Sequence, residues 1–283
     1  MWVVLRFVQS DTVSRSPNAL NMTASYESLA ARLRAAYSSG PVPPLRDGLD
    51  PSDGAGGYAV QALNTQWWET QGRRVIGRKI GLTAKSVQAQ LGVSQPDFGV
   101  LFDDMRIADR GTLRSSQVLQ AKVEGEIALV FSEDLENPEI TLDDLGRAIE
   151  SVAPAIEIVD SRIADWKITF ADTVADNGSS GYFVIGPELK YRFDRDLWSC
   201  GMVLEVNGDV LSLGAGAACL GHPLNAALWL ARTLAQRSDP IRRDDVVLTG
   251  ALGPMVPLRP GNFVRATIGG LGTAEFTCID DQS

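Results

Sequence analysis

Residues 123–130 read Val123-Glu124-Gly125-Glu126-Ile127-Ala128-Leu129-Val130, an apolar run that contains two carboxylates with one glycine between them. In a β-strand, residues i and i+2 point to the same face, so Glu124 and Glu126 would stand about 7 Å apart at their Cα atoms. Two adjacent carboxylates on a buried strand are unfavourable unless a positive charge lies between them. A hard divalent cation, Mg²⁺ or Mn²⁺, would supply that charge and prefers oxygen ligands. The stretch alone leaves open an edge strand with two glutamates in water.

Three more charged residues lie in apolar or glycine-rich surroundings. Glu157 is the single charge within residues 155–159, so it needs a partner, and a cation shared with the two glutamates above would provide one. Lys79 lies between apolar and glycine neighbours, which leaves open an inward or a surface ammonium. Asp97 lies in the segment 95–99, a predicted turn, where an ordinary turn residue is the alternative to a functional one.

The composition is that of an ordinary globular protein. The chain has 283 residues, of which 45% are hydrophobic, and this is enough for a full core. A net charge of -9 argues against a phosphate-backbone partner. No apolar run approaches the ~20 residues that cross a bilayer, and residues 1–8 lack the basic start of a signal peptide. We therefore predict a cytoplasmic protein with neither nucleic-acid nor membrane partners.

The single histidine, His222, removes several classes of site. Metal sites with two histidines and the zinc-protease helix motif are excluded, and a Ser-His-Asp triad would have to use this residue. Because His222 precedes an amphipathic segment, we expect it to cap a helix rather than to act in catalysis. Cys200, Cys219 and Cys278 are widely spaced, which predicts buried thiols rather than disulfides or a zinc site.

The N-terminal part is predicted to be helical. Residues 1–21 show no hydrophobic period and are predicted to be a disordered leader. Helices are predicted over Tyr26–Tyr37, with Ser25 as the N-cap, and over Ser52–Gln71. Residues 22–72 would thus form a helical cap. The predicted apolar face of the second helix consists of Ala55, Tyr58, Ala59, Ala62 and Leu63.

From residue 73 to residue 283, short β segments separated by glycines predict an α+β domain with a mixed sheet or roll. Thr141 is predicted to cap a helix that reaches Val152 and is stopped by Pro154. Three other elements are predicted: a polar loop over residues 171–181, a hairpin at Asn207-Gly208 and a helix over Gly221–Gln236.

Seven short motifs follow one another along the chain: Gly77–Thr83, Gln95–Gly99, Glu124–Glu126, Glu157–Arg162, Asp172–Asn177, Leu220–Ala226 and Leu248–Met255. Together they resemble the 2-keto-4-pentenoate (2-hydroxypenta-2,4-dienoate) hydratases of the fumarylacetoacetate hydrolase superfamily, over roughly residues 22–276. The resemblance implies that superfamily's mixed β-sandwich roll, with the helical cap placed before a catalytic domain at residues 73–283. It also implies a Mg²⁺ or Mn²⁺ site and a homo-oligomer, such as a pentamer or decamer.

The resemblance also implies roles for six residues. The positions that match metal ligands are Glu124, Glu126 and Glu157. The positions that match catalytic residues are Lys79, Asp97 and Ser179, although Gly178 stands where alanine is usual in that loop.

The activity implied by the resemblance is metal-dependent hydration of 2-hydroxypenta-2,4-dienoate, or of a close alkyl homologue, to a 4-hydroxy-2-oxoalkanoate. Such enzymes act in the meta-cleavage degradation of aromatic compounds. Two alternatives on the same scaffold are a 4-oxalocrotonate decarboxylase and a 2-oxohept-3-enedioate hydratase, and Asp97 favours a hydratase because the decarboxylases tend to lack it. A third is a non-catalytic subunit in a complex with neighbouring pathway enzymes.

Overall fold

The computed structural model describes residues 24–281, apart from the side chains of residues 90 and 91. The predicted leader, residues 1–21, lies outside this range. The helices are α1 Tyr26–Ser39, α2 Gly54–Thr70, α3 Lys85–Leu91, α4 Leu142–Ala148, α5 Phe170–Ala175 and α6 Pro223–Gln236. The strands are β1 Val75–Gly81, β2 Asp97–Phe102, β3 Arg106–Ile107, β4 Gly111–Arg114, β5 Lys122–Phe131, β6 Ile149–Val159, β7 Ser180–Ile185, β8 Leu189–Lys190, β9 Gly201–Val206, β10 Asp209–Ala215, β11 Val246–Leu248, β12 Val256–Pro257, β13 Phe263–Ile268 and β14 Gly272–Ile279.

These strands form two sheets, which confirms the predicted α+β class. The larger sheet, with nine strands, has the order β2-β1-β11-β5-β6-β7-β3, with β12 added to β5 and β8 added to β6. It is mixed, because β1 runs parallel to β11 whereas β5 and β6 are antiparallel. The smaller sheet has five strands in the order β10-β9-β13-β14-β4.

The small sheet packs over the middle of the large one, chiefly over β6 and also at β5. Val123, Gly125 and Ile127 are buried on the face of β5 opposite its two glutamates. A Cβ added at Gly125 would lie 2.8 Å from Sδ of Met202, on β9. Glycine therefore stands between the two glutamates because the second sheet approaches the backbone there.

The two N-terminal helices are present, and Ser25 is the N-cap of α1, as predicted. The predicted face of α2 was partly wrong: Tyr58 and Leu63 pack against the core, but Ala55 and Ala62 are exposed. The side-chain amide of Gln61 faces inward instead and donates to the carbonyls of Phe98 (3.0 Å) and Val174 (2.9 Å). The periodicity of apolar residues does not predict which helix face contains a polar side chain with buried hydrogen bonds. The buried residues of α2 are Gly56, Gly57, Val60 and Gln61.

Two further predictions need correction. The helix capped by Thr141 ends at Ala148, and Pro154 lies inside β6 rather than after a helix. Pro154 lies opposite the gap between β7 and β8. Its carbonyl accepts a hydrogen bond from the backbone N–H of Gly186 (2.9 Å). Proline is tolerated there because no neighbouring strand needs the N–H that it lacks. The predicted loop over residues 171–181 is mostly α5 followed by a 3₁₀ turn.

Other local predictions are confirmed. Asn207 and Gly208, with φ of 54° and 89°, join β9 to β10 in a hairpin. The three cysteines are free and buried. Within residues 24–281, no helix is both long enough and apolar enough to cross a membrane.

His222 caps α6, as predicted. Its Nδ1 accepts a hydrogen bond from the backbone N–H of Leu224 (3.0 Å), and Pro223 occupies the first turn. Burial lowers the pKa of His222, while the charge of Asp196 opposes the change. The cap needs an unprotonated Nδ1, which is consistent with this lowered pKa.

This cap should make stability depend on pH. A histidine in an unfolded chain titrates near about pH 6.5, so the unfolded chain gains a proton before the folded chain as the pH falls. The stabilisation is therefore complete above about pH 6.5 and decreases below it. Between about pH 7.5 and about pH 5.5, we expect the free energy of unfolding in urea to fall by up to about 1 kcal/mol more in the wild type than in His222→Asn. Asparagine also caps helices but does not titrate, so an equal fall in both proteins would contradict the assignment.

Candidate active site

Three glutamates, of which Glu126 and Glu157 are buried and Glu124 is partly buried, meet on one face of the β5–β6 pair. Glu124 and Glu126 lie on β5, and Glu157 lies directly opposite Glu124 on β6. One carboxylate oxygen from each lies within 4.8 Å of one from each of the others. The alternation along β5 places the first two on one face, and the antiparallel register adds the third. The structure thus brings together the three carboxylates that the sequence suggested.

The electrostatics of this cluster call for a cation. Burial, followed by the charge of Glu157, raises the pKa of Glu124 to about 7. Burial and the two neighbouring carboxylates also raise the pKa of Glu126 well above its usual range. Within residues 24–281, neither Oε1 of Glu126 nor Oε2 of Glu157 has a hydrogen-bond partner. Buried carboxylate oxygens without donors, on three converging side chains, fit a hard divalent cation with oxygen ligands.

One carboxylate of the cluster is also held by the backbone. Oε2 of Glu126 accepts a hydrogen bond from the N–H of Gly250 (2.8 Å), just beyond the end of β11. This bond fixes the orientation of the side chain and leaves Oε1 directed away from the backbone donor. Gly250 lies in one of the seven sequence motifs, but its role as a backbone donor cannot be predicted from the residue type.

Lys79 points inward from β1 and is buried. Its Nζ lies 3.1 Å from Oε1 of Glu157 and donates to the carbonyl of Gly178 (2.9 Å). Burial disfavours the ammonium, but Glu157 and then Asp97 outweigh it and raise the pKa of Lys79. The side chain is therefore a permanent cation beside the glutamates, and an ammonium has a third donor left for a ligand.

Asp97 is the first residue of β2, opposite Gly81 of β1. A Cβ added at Gly81 would lie 2.2 Å from Oδ1 of Asp97, so only glycine leaves room for this carboxylate. Burial raises the pKa of Asp97, and the charge of Lys79 opposes the change. Asp97 is thus a buried strand residue rather than part of an exposed turn.

Ser179 lies in the 3₁₀ turn that precedes β7. Its φ of 54° is left-handed, which is unfavourable for serine, whereas Asn177, with a φ of 58°, is a residue type that tolerates this conformation. Asn177 holds the turn on β2, since its side-chain Oδ1 accepts from the N–H of Val100 (2.7 Å) and its Nδ2 donates to the carbonyl of the same residue (2.9 Å). The hydroxyl of Ser179 donates to Oδ2 of Asp176 (3.3 Å). The turn is therefore held in a strained conformation beside the cavity.

These groups border one cavity of about 320 Å³. Glu124, Lys79, Asp97 and Ser179 line it, and Glu126 and Glu157 belong to the same acidic cluster. Its size suits a small molecule of a few carbon atoms. The apolar part of its wall includes Leu82, Val87, Val159, Ile168, Ala251 and Met255.

Two residues at this cavity were not singled out from the sequence. Lys122 and Trp166 both line it. Lys122 could have been found from the alternation Lys-x-Glu-x-Glu, which places all three side chains on one face of β5. No such pattern marks Trp166, whose position depends on the path of the chain after β6.

Comparison with known proteins identifies the family. The sequence pattern of the fumarylacetoacetate (FAA) hydrolase C-terminal family matches residues 78–279, which is most of the chain. The chain belongs to the fumarylacetoacetate hydrolase family. The resemblance inferred from the seven motifs is therefore confirmed.

The chain is similar over most of its length to several named hydratases and to a decarboxylase of known structure. Identity is 51% over 247 residues to 2-keto-4-pentenoate hydratase 2 of Dechloromonas aromatica strain RCB, covering 87% of this chain and 94% of the relative. It is 52% over 237 residues to the TodF product hydratase of Pseudomonas putida F1, covering 83% and 88%. The structure of 4-oxalocrotonate decarboxylase from Pseudomonas putida G7, complexed with magnesium and adipate, matches with a TM-score of 0.85 at 34% identity, covering 90% of this chain and 97% of that one.

Proposed function

We propose that this protein is a divalent-metal-dependent hydratase that adds water to 2-hydroxypenta-2,4-dienoate or a close alkyl homologue and yields a 4-hydroxy-2-oxoalkanoate. The observation that carries the proposal is that Lys79 and Asp97 line the same cavity as the three-glutamate cluster. Relatives at about half identity over most of the chain are named hydratases of this type. The reaction would serve the meta-cleavage breakdown of aromatic compounds.

The cation site would be formed by Glu124, Glu126 and Glu157. A bound Mg²⁺ or Mn²⁺ would supply Lewis-acid polarisation of the substrate's 2-oxygen. The three carboxylates would hold the cation from two paired strands, which form a rigid support.

Lys79 would stabilise negative charge on the substrate, and Asp97 would transfer protons. The free N–H of Lys79 would donate to the substrate oxygen on which negative charge develops, at a site where water is largely excluded. The raised pKa of Asp97 brings its carboxyl group closer to neutrality, so that it can both accept and donate a proton during ketonisation at C5 and water addition at C4. Ser179, beside Gly178, would position the substrate or the attacking water.

The direct test is an assay of three substrates side by side. With Mg²⁺ or Mn²⁺ we expect loss of the dienoate chromophore, because the added water breaks the conjugation. EDTA should abolish turnover and added cation should restore it. Faster release of CO₂ from 4-oxalocrotonate would favour the decarboxylase, hydrolysis of an acylpyruvate would favour a hydrolase, and full turnover after chelation would exclude the proposed mechanism.

We further propose a cytoplasmic homo-oligomer, a pentamer or decamer, which is able to associate with neighbouring pathway enzymes. Free buried cysteines are typical of a reducing compartment. The edge strand β10 exposes Val210, Leu211 and Leu213, and exposed apolar edges of this kind are usually covered by another chain. Light scattering after gel filtration would measure the subunit number. Absence of divalent-cation binding would favour the alternative, a non-catalytic subunit.

A further inference from the structure

A second cation lies on the same face of the sheet as the glutamates. Lys122 begins β5, two residues before Glu124 and four before Glu126, so all three side chains project to one side. It lines the cavity together with Glu124. Lys79 already neutralises part of the cluster from β1, so Lys122 is available to a ligand.

Lys122 is held by an aromatic face rather than by an acid. Its Nζ lies 4.2 Å from the ring centroid of Trp166. Within residues 24–281, this ammonium makes no hydrogen bond and no ion pair. An ammonium placed on an indole keeps its donors for another group, because the ring takes up none of its N–H bonds.

The position of Trp166 is itself fixed. Its indole N–H donates to the carbonyl of Gln120 (3.0 Å), two residues before Lys122. Asp165 and Trp166 have φ of 58° and 56°, so the backbone is left-handed at two successive residues other than glycine. Such backbone costs roughly 1–3 kcal/mol per residue and persists where the surroundings impose it. The fold thus holds an indole under the one cavity-lining ammonium that lacks a carboxylate partner among the described residues.

Lys122 and Asp97 approach the cavity from different strands. Asp97 is on the edge strand β2, and β1 and β11 separate it from β5 in the sheet. Beside Asp97, a substrate carboxylate would meet another carboxyl group and the Lys79 ammonium, which is already bonded to Glu157. Beside Lys122 it would meet a cation that has no carboxylate partner among the described residues. Addition of water at C4 requires a proton-transferring group, and Asp97, which lines the cavity from β2, can serve as that group.

We propose that Lys122 binds the C1 carboxylate of the 2-oxo or 2-hydroxydienoate substrate and thereby directs C4 towards Asp97. This role rests on the hydratase function proposed above. Lys122 is then a substrate-binding residue, supported by the indole of Trp166. Its ammonium favours the substrate anion and opposes the metal cation, so its removal should change the two affinities in opposite directions.

The test measures binding of 2-oxopentanoate, an unreactive saturated analogue, to the Mn²⁺-loaded protein by calorimetry, and binding of Mn²⁺ alone. Lys122→Met should raise the dissociation constant for 2-oxopentanoate by about tenfold. It should lower the dissociation constant for Mn²⁺ by up to about threefold, because a positive charge near Glu124 is removed. Lys122→Arg should restore anion binding to within about threefold of the wild type.

Lys167→Met is the matched control, since Lys167 lies in the same segment as Trp166 but is exposed and paired with Asp165 (2.9 Å). It should change neither affinity. An unchanged affinity for 2-oxopentanoate in Lys122→Met would overturn the role of Lys122 but not the proposed function. Equal weakening of 2-oxopentanoate binding and Mn²⁺ binding would do the same. Failure of the wild type to bind 2-oxopentanoate with Mn²⁺ present would overturn this role together with the proposed function.

Discussion

Replacing Glu126 by glutamine is expected to abolish activity while leaving the fold intact. Glutamine has the same shape, and its side-chain oxygen can still accept from the N–H of Gly250, so no cavity forms. What is lost is one charge of a three-carboxylate cluster. We expect kcat/KM to fall by about a thousandfold or more, which is about 4 kcal/mol of transition-state stabilisation.

Thermal unfolding with and without Mn²⁺ separates loss of the cation site from loss of the fold. The metal-free variant should unfold at the wild-type temperature or above, because a buried like charge is removed. The stabilisation by Mn²⁺, about 2.7 kcal/mol at a hundredfold excess over the dissociation constant, should disappear. Glu150→Gln is the control, since Glu150 lies on β6 with Glu157 but is exposed. A Glu126→Gln protein that turns over normally would rule out the three-glutamate site.

Replacing Asp97 by asparagine is expected to separate chemistry from binding. Asparagine fits the space beside Gly81 but cannot transfer a proton. We expect kcat to fall by roughly a hundredfold to ten-thousandfold, while KM and Mn²⁺ affinity stay within about threefold. Steady-state kinetics on the dienoate, with calorimetry for the cation, would measure both effects.

Asp209→Asn provides the comparison, because Asp209 also begins a strand but is exposed and lies in the other sheet. It should leave kcat unchanged. If Asp97→Asn kept most of its kcat, Asp97 would not be the proton-transferring group. If KM and Mn²⁺ affinity deteriorated as much as kcat, its role would be structural.

The sequence allowed the acidic cluster to be anticipated because part of it is local. Glu124 and Glu126 share a face through the two-residue period of a strand, and this holds whatever the tertiary fold. Glu157 could be suspected as an isolated charge in an apolar run. Its place opposite Glu124 depends on the register of β5 and β6, which the hydrophobic pattern does not specify.

Other features depended on contacts between distant segments. The inward orientation of Lys79 is set by Glu157 and Gly178, which are far away in the sequence. Pro154 was expected to end a helix, because the gap between two partner strands that accommodates it cannot be seen locally. The inward face of α2 was missed for the same reason, since the partners of Gln61 lie on other elements.

The amide of Gln61 has a consequence for protein engineering. It joins the helical segment to two carbonyls, one adjacent to Asp97 and the other in α5. A chimera that grafts the first seventy residues of a relative onto this β scaffold would leave the carbonyl of Phe98 without its side-chain donor, and that of Val174 with only the N–H of Asp176, unless the graft carried an equivalent donor. Each unsatisfied carbonyl would cost about 1–3 kcal/mol, and the loss would fall on the backbone that holds Asp97. The N-terminal helices are therefore not a detachable module.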